Sequence, residues 1–343
     1  MKINRKVLGE AINAGILTQE QAERLWAFFA RRSDTAPTFS LTHILYYLGG
    51  LIAIGAMTLF MTLGWEKYGG WGIFCIAVAY ALLGIGLAEK FNGKSLAIPA
   101  GIMGAFVVAL TPLAIYGLQQ ALGFWDDTST YRDYHVYIRW NWILMELGTL
   151  ASGAILFYRY RLPFMIMPVA VTLWYMSMDL APFLFHDLDY NWSLRKLVSL
   201  WFGLAMVLFA FWVDVRSQRE QDFAFWLYLF GVTAFWGGLS LMRSDSELNK
   251  FLYMCINLLM IIIGTIIARR VFAVFGGLGV AGYLGYLSYN VFKNSMLFPF
   301  ALTFIGLLVI WIGVLWQKRE VAITARLRSW LPAGLREMLE NMH

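Results

Sequence analysis

The sequence predicts an all-α fold, a polytopic transmembrane helical bundle of about ten spans, and three observations carry that prediction. Ten apolar stretches, each about 20 residues long and so long enough to cross a bilayer, fill most of the 343-residue chain. Only 14% of the residues are charged while 60% are hydrophobic and 17% aromatic, against about a quarter charged in a soluble domain. The charges gather at the ends of the apolar stretches. So few charges cannot clothe a water-facing surface, and lipid must solvate much of the chain. In lipid every backbone polar group needs an internal partner, which leaves helices or closed barrels. The runs are continuous and lack the alternation of a barrel strand, so helices are selected.

Residues 1–36 come first and differ from the rest. They are polar and amphipathic, unlike a cleavable signal peptide. Ile3 to Asn13 reads as a short helix stopped at Ala14-Gly15, where glycine accepts a left-handed backbone. Thr18 reads as the N-cap of a second helix, with Gln21 three residues on completing a capping box. Val7, Leu8, Ile12, Leu17, Leu25, Phe28 and Phe29 would form the apolar seam of this hairpin. Such a hairpin is too small to hold a core alone. It is expected to rest on the membrane domain or on a protein partner, on the cytosolic side.

The membrane domain, residues 37–316, follows with spans at roughly 42–63, 71–89, 96–119, 140–158, 162–184, 196–214, 222–242, 249–268, 271–290 and 296–316. Orientation follows from the basic residues. With the N-terminus inside, Lys67, Arg132, Arg139, Arg195, Lys196, Arg243, Lys250 and Lys293 lie outside, and the other 19 of the 27 lie on inner segments. The positive-inside rule therefore puts both termini in the cytoplasm, as an even span number requires. The expected location is the bacterial inner membrane. The net charge of +6 is spent on orientation at helix ends, and no nucleic-acid partner is expected.

Residues 317–343 form a tail. Ile323, Leu327, Trp330, Leu331, Leu335, Met338 and Leu339 recur at helical spacing with arginines among them, which suits an interfacial helix bent at Pro332 or a cytosolic helix packed on the hairpin. Residues 1–36 and this tail are the segments that would carry a protein partner. Cys75 and Cys255 lie within apolar runs and read as reduced, buried thiols with no disulfide. With no CxxC and no CxxCH, redox and haem readings lack support.

The segment "AGILTQEQAERL" at 14–25, followed by the glycine-rich span "YLGGLIAIGAMTLFMTLGW" from Tyr47 to Trp65, resembles the N-terminal signature of a prokaryotic membrane-protein family, domain of unknown function 2157. The likeness covers about residues 5–90. It implies a membrane location and no particular activity.

Polar residues inside the spans are the candidate sites. Glu146 sits in "WNWILMELGTL", six residues past Trp140 and so roughly 9 Å below the outer boundary at 1.5 Å rise per residue. Asp179 sits in "WYMSMDLAPFLF", with Pro182 three residues on, where a proline removes a helical hydrogen bond. Ionisable groups in membrane helices are costly and are functional-site hypotheses by default, although a hydrogen-bonded carboxyl or an interfacial aspartate would also account for them. Both belong to the outer halves of consecutive spans, which points to one outward polar cavity. In the outer loops His135, His186, Asp187 and Asp189 are the weak metal candidates, without recognised ligand spacing. The aromatic residues of 124–142 read as an interfacial belt. Gly277, Gly279 and Gly282 spell GxGxxG, but within a span this reads as packing, with Gly276, Gly282 and Gly285 admitting a close neighbour. Asn257 reads as interhelical glue.

No cofactor is expected and no catalytic residue is assigned. Transport of a small solute or lipid-linked molecule near Glu146 and Asp179 ranks first. A non-catalytic scaffold or regulatory subunit is the alternative. A lipid-directed enzyme ranks last, because no nucleophile set is visible.

Overall fold

The structure is a computed structural model. It describes residues 8, 12, 14–25, 41–64, 67–125, 140–184, 192–216, 222–242, 244 and 246–291, with 300, 303, 304, 306, 307 and 311. Among the described residues the fold is all-α. Nine helices have described bounds: α1 Leu41–Gly64, α2 Gly69–Gly93, α3 Ala97–Ala121, α4 Trp140–Tyr160, α5 Ile166–Leu184, α6 Trp192–Arg216, α7 Ala224–Leu241, α8 Glu247–Ile267 and α9 Arg270–Val291. Six of them, α2, α3, α6, α7, α8 and α9, are long and apolar enough to cross a membrane. The tenth expected span reaches the described residues at only a few positions, and the tail 317–343 lies outside them.

The expected N-terminal signals are present. Gly15 has φ +70°, and its N–H donates to Ile12 O at 3.0 Å. Thr18 N–H donates to Gln21 Oε1 at 3.0 Å and Gln21 N–H donates to Thr18 Oγ1 at 3.3 Å, closing the capping box in both directions. Residues 19–25 are helical, and Leu8 and Ala22 are buried.

The chain divides into two compact units. The first comprises Met1–Asp127, Leu147–Pro168 and Ser217–Phe223. Its centre is α3, which packs on α2, on α1 and on a 3-10 turn at Pro163–Met165. Small residues let α2 and α3 approach closely. A Cβ on Gly117 would lie 2.7 Å from Phe74 N, and one on Gly84 would lie 2.6 Å from Val107 Cγ2. Pro112 lies inside α3, where it leaves a carbonyl of the preceding turn without its helical donor. One residue before it, the Thr111 hydroxyl shares a 2.9 Å hydrogen bond with Ser152 of α4.

The second unit comprises Thr128–Glu146, Val169–Arg216 and Ala224–His343. It is built on two antiparallel pairs, α6 with α7 and α8 with α9, and α7 also meets α9. Backbones touch in both pairs. A Cβ on Gly238 would lie 2.7 Å from Lys196 O, and one on Gly276 would lie 2.6 Å from Asn257 O. Asn257 is fully buried. It accepts from Trp236 Nε1 of α7 at 3.1 Å, donates to Tyr253 O at 2.8 Å, and packs against Gly279 of α9. The glycines that admit α8 are therefore Gly276 and Gly279. Gly282 and Gly285, expected to do this, have nothing within 4 Å, because they lie on α9 faces turned from α8.

Candidate functional site

The polar cluster of the second unit is built at one end of α4, α5 and α6. Glu146 stands six residues into α4. Asp179 stands five residues before the end of α5, which continues through Pro182 to Leu184. Arg195 stands three residues into α6, which begins at Trp192, earlier than the span expected at 196. Starting earlier moves Arg195 from a loop onto the first turn of the helix.

Arg195 Nη2 lies 3.3 Å from Asp179 Oδ1, and the two side chains are only 13% and 12% exposed. This is a buried ion pair, whose attraction must offset a large desolvation cost. The carboxyl of Glu146 is within hydrogen-bonding contact of the Asp179 carboxyl. Glu146 is 8% exposed, and no described N–H or hydroxyl donates to its Oε2. The two sequence candidates are thus in contact with each other, and Arg195 joins them.

Below this cluster lies a neutral relay. Trp174 Nε1 of α5 donates to Ser199 Oγ of α6 at 2.9 Å, and Ser199 Oγ donates to Ala234 O of α7 at 2.9 Å. Ser199 is one turn past Arg195, roughly 6 Å further along α6. The relay fixes α5 against α6 at the level below the ion pair, so the carboxyl pair is held from two sides.

A second buried ion pair closes the opposite end of α6. Asp214, 3% exposed, accepts from Arg269 Nε at 3.0 Å and from Arg269 Nη2 in a fork. Arg269 follows the α8 C-cap, Ala268, which adopts φ +59°. That left-handed residue lets Arg269 N–H donate to Gly264 O at 2.9 Å, which aims the side chain back at α6. Its guanidinium also lies 5.3 Å from the ring centre of Tyr228 of α7. Arg195 and Asp214 are nineteen residues apart on α6, roughly 28 Å at 1.5 Å per residue, close to the ~30 Å hydrocarbon thickness.

The other ion pairs among the described residues are more exposed. Lys250 donates to Glu247 Oε1 at 2.8 Å and lies against Tyr286. Glu89 lies 3.9 Å from Arg159, both more than half exposed, an arrangement that contributes little. The first unit holds an apolar cleft of about 80 Å³ beside Pro112. The metal candidates His135, His186, Asp187 and Asp189 lie outside the described residues. Among the described residues no three His, Cys, Asp or Glu side chains are placed to hold a metal.

The sequence singles out both carboxyls but not Arg195, which it places among the outer charges, nor the second pair, since Arg269 reads as an inner charge and Asp214 is not singled out. The signal that could have found them is a charge within the first or last turn of an apolar helix, where it can turn inward.

Six helices long and apolar enough to cross a membrane point to the class, a multi-pass helical membrane protein, with a buried polar cluster in its second unit. Comparisons with family models, with curated proteins and with solved structures found no match.

Proposed function

We propose that the chain crosses the bacterial inner membrane ten times, with both termini in the cytoplasm, and moves a small solute or lipid-linked molecule across it. The observation that carries this reading is the Glu146–Asp179–Arg195 cluster. It is buried in helices that the sequence reads as spans, and it is more charged than a packing interface needs. Burying two carboxyls and a guanidinium costs several kcal/mol per ion, and intramembrane ionisable groups of this kind mark solute and ion pathways. Asp179 is the anionic anchor and Arg195 its orienting partner, while Glu146 supplies the second carboxyl. The nineteen-to-eight distribution of basic residues supports the orientation, which puts the cluster toward the outer face. The hairpin and glycine-rich first span support placing the chain with domain of unknown function 2157.

The test is water access. In a background with Cys75 and Cys255 replaced by serine, Ser199→Cys puts a thiol one turn below Arg195. Ser199 is buried in this structure, so a membrane-impermeant maleimide added to the outside of intact cells should label this thiol as the outward cavity opens. Absence of labelling from the outside, with labelling restored only after denaturation, would remove the outward cavity.

A further inference from the structure

We infer that Glu146 and Asp179 form a binding site for one proton, held between their carboxyl groups, and that the ion coupled to the function of this site is H⁺. This rests on the transport reading only for the word "coupled"; the proton site stands on its own geometry.

Among the described residues the charged groups acting on the pair are the two carboxyls, on α4 and α5, and Arg195, on α6. Two ionised carboxyls and one guanidinium leave one uncompensated negative charge. Glu146 and Asp179 are 8% and 9% exposed, and an uncompensated buried charge is the costliest arrangement available. One further unit of positive charge balances the cluster.

The hydrogen bonding selects the proton as that charge. Asp179 already has Arg195 at 3.3 Å, whereas Glu146 Oε2 is buried with no described N–H or hydroxyl donating to it. Two carboxyl groups in contact have oxygens only. A hydrogen bond between them requires an O–H on one, accepted by an oxygen of the other. A single proton therefore neutralises the excess charge and also supplies the missing donor, as two carboxylates at one site share one proton. A monovalent metal ion would need several converging oxygens. Trp174 and Ser199, below the pair, are engaged with each other and with Ala234 O.

The consequence is a switch. With the proton present the cluster is neutral and closed on itself. On its loss Glu146 carries a charge with no cation of its own, and hydration from the outer face becomes favourable.

The experiment is infrared difference spectroscopy of the full chain in lipid nanodiscs, between acidic and alkaline buffer, with the buffer cation held constant. The expected result is a C=O band of a protonated carboxylic acid that is lost on alkalinisation, with one more proton released per chain than from Glu146→Gln. The band is absent from Glu146→Gln. Glu146→Asp, which keeps an acid at the position, retains the band at a shifted frequency and covers the case in which the amide variant fails to fold. A wild-type spectrum without a pH-responsive acid band, or a band unchanged in Glu146→Gln, overturns the proposal. A pH-responsive band together with an unlabelled Ser199→Cys leaves the proton site standing and removes the transport reading. Labelling without the band does the reverse.

Discussion

Replacing Arg269 with alanine is expected to remove about 3–5 kcal/mol of stability, the cost of leaving a buried charge without its partner. Asp214 is the charge at stake, with a side chain 2% exposed and Arg269 Nε at 3.0 Å. The loss should be larger than for an exposed pair such as Glu89 and Arg159, whose removal is expected to cost less than about 1 kcal/mol. The expected loss has a diagnostic companion. Asp214→Leu combined with Arg269→Leu removes both charges and should recover most of the stability, because a buried ion pair replaced by apolar side chains is often neutral. Thermal unfolding of the purified protein in one fixed detergent, run on both single variants and the double, reads the coupling directly. Additive losses would mean that the two charges do not act as a pair.

The second large effect belongs to two adjacent glycines of α7. A Cβ on Gly238 would fall 2.7 Å from Lys196 O and 2.8 Å from Leu200 N. Those are backbone atoms of α6, which cannot move aside as a flexible side chain does. Gly238→Ala should therefore push α7 from α6 and cost about 1–3 kcal/mol, the usual range for an overpacked interface. At Gly237 a Cβ meets nothing within 4 Å. Gly237→Ala should be neutral or stabilising by up to about 1 kcal/mol, since glycine is the poorer residue in a helix interior. The same unfolding assay checks both, and equal effects would contradict the close packing of α6 on α7.

These contrasts mark what the amino-acid sequence makes legible. Long apolar runs specify helices because lipid leaves the backbone no other way to pair, so the nine described helices fall where the runs do. The capping box at Thr18 and Gln21 is legible because its geometry is local. Which glycine faces a neighbour is not. Gly237 and Gly238 have the same composition and differ only by a 100° turn of the helix, whose phase is set by tertiary packing. The same limit hid Gly279 behind Gly282 and Gly285.

At the candidate site, Glu146 and Asp179 stood out because a carboxyl in an apolar run is costly wherever it lies. Their partner did not. Arg195 lay one residue outside the expected span, and the helix in fact starts at Trp192, so a boundary shift of four residues changed a loop charge into a buried one. Asp214 and Arg269 are separated by 55 residues, and no local spacing announces that they meet. The parallel course of α6 and α8 brings their C-terminal ends together, and the left-handed Ala268 turns Arg269 inward.

The measurement that tests the account most directly is native mass spectrometry of the protein extracted gently from its own membrane, compared with Asp179→Asn. The account predicts a chain, or a homo-oligomer, carrying a non-protein mass of a small molecule or lipid that is depleted in the variant. A stoichiometric protein partner with no such mass, unchanged in Asp179→Asn, would contradict it and favour a scaffold that uses residues 1–36 or the tail.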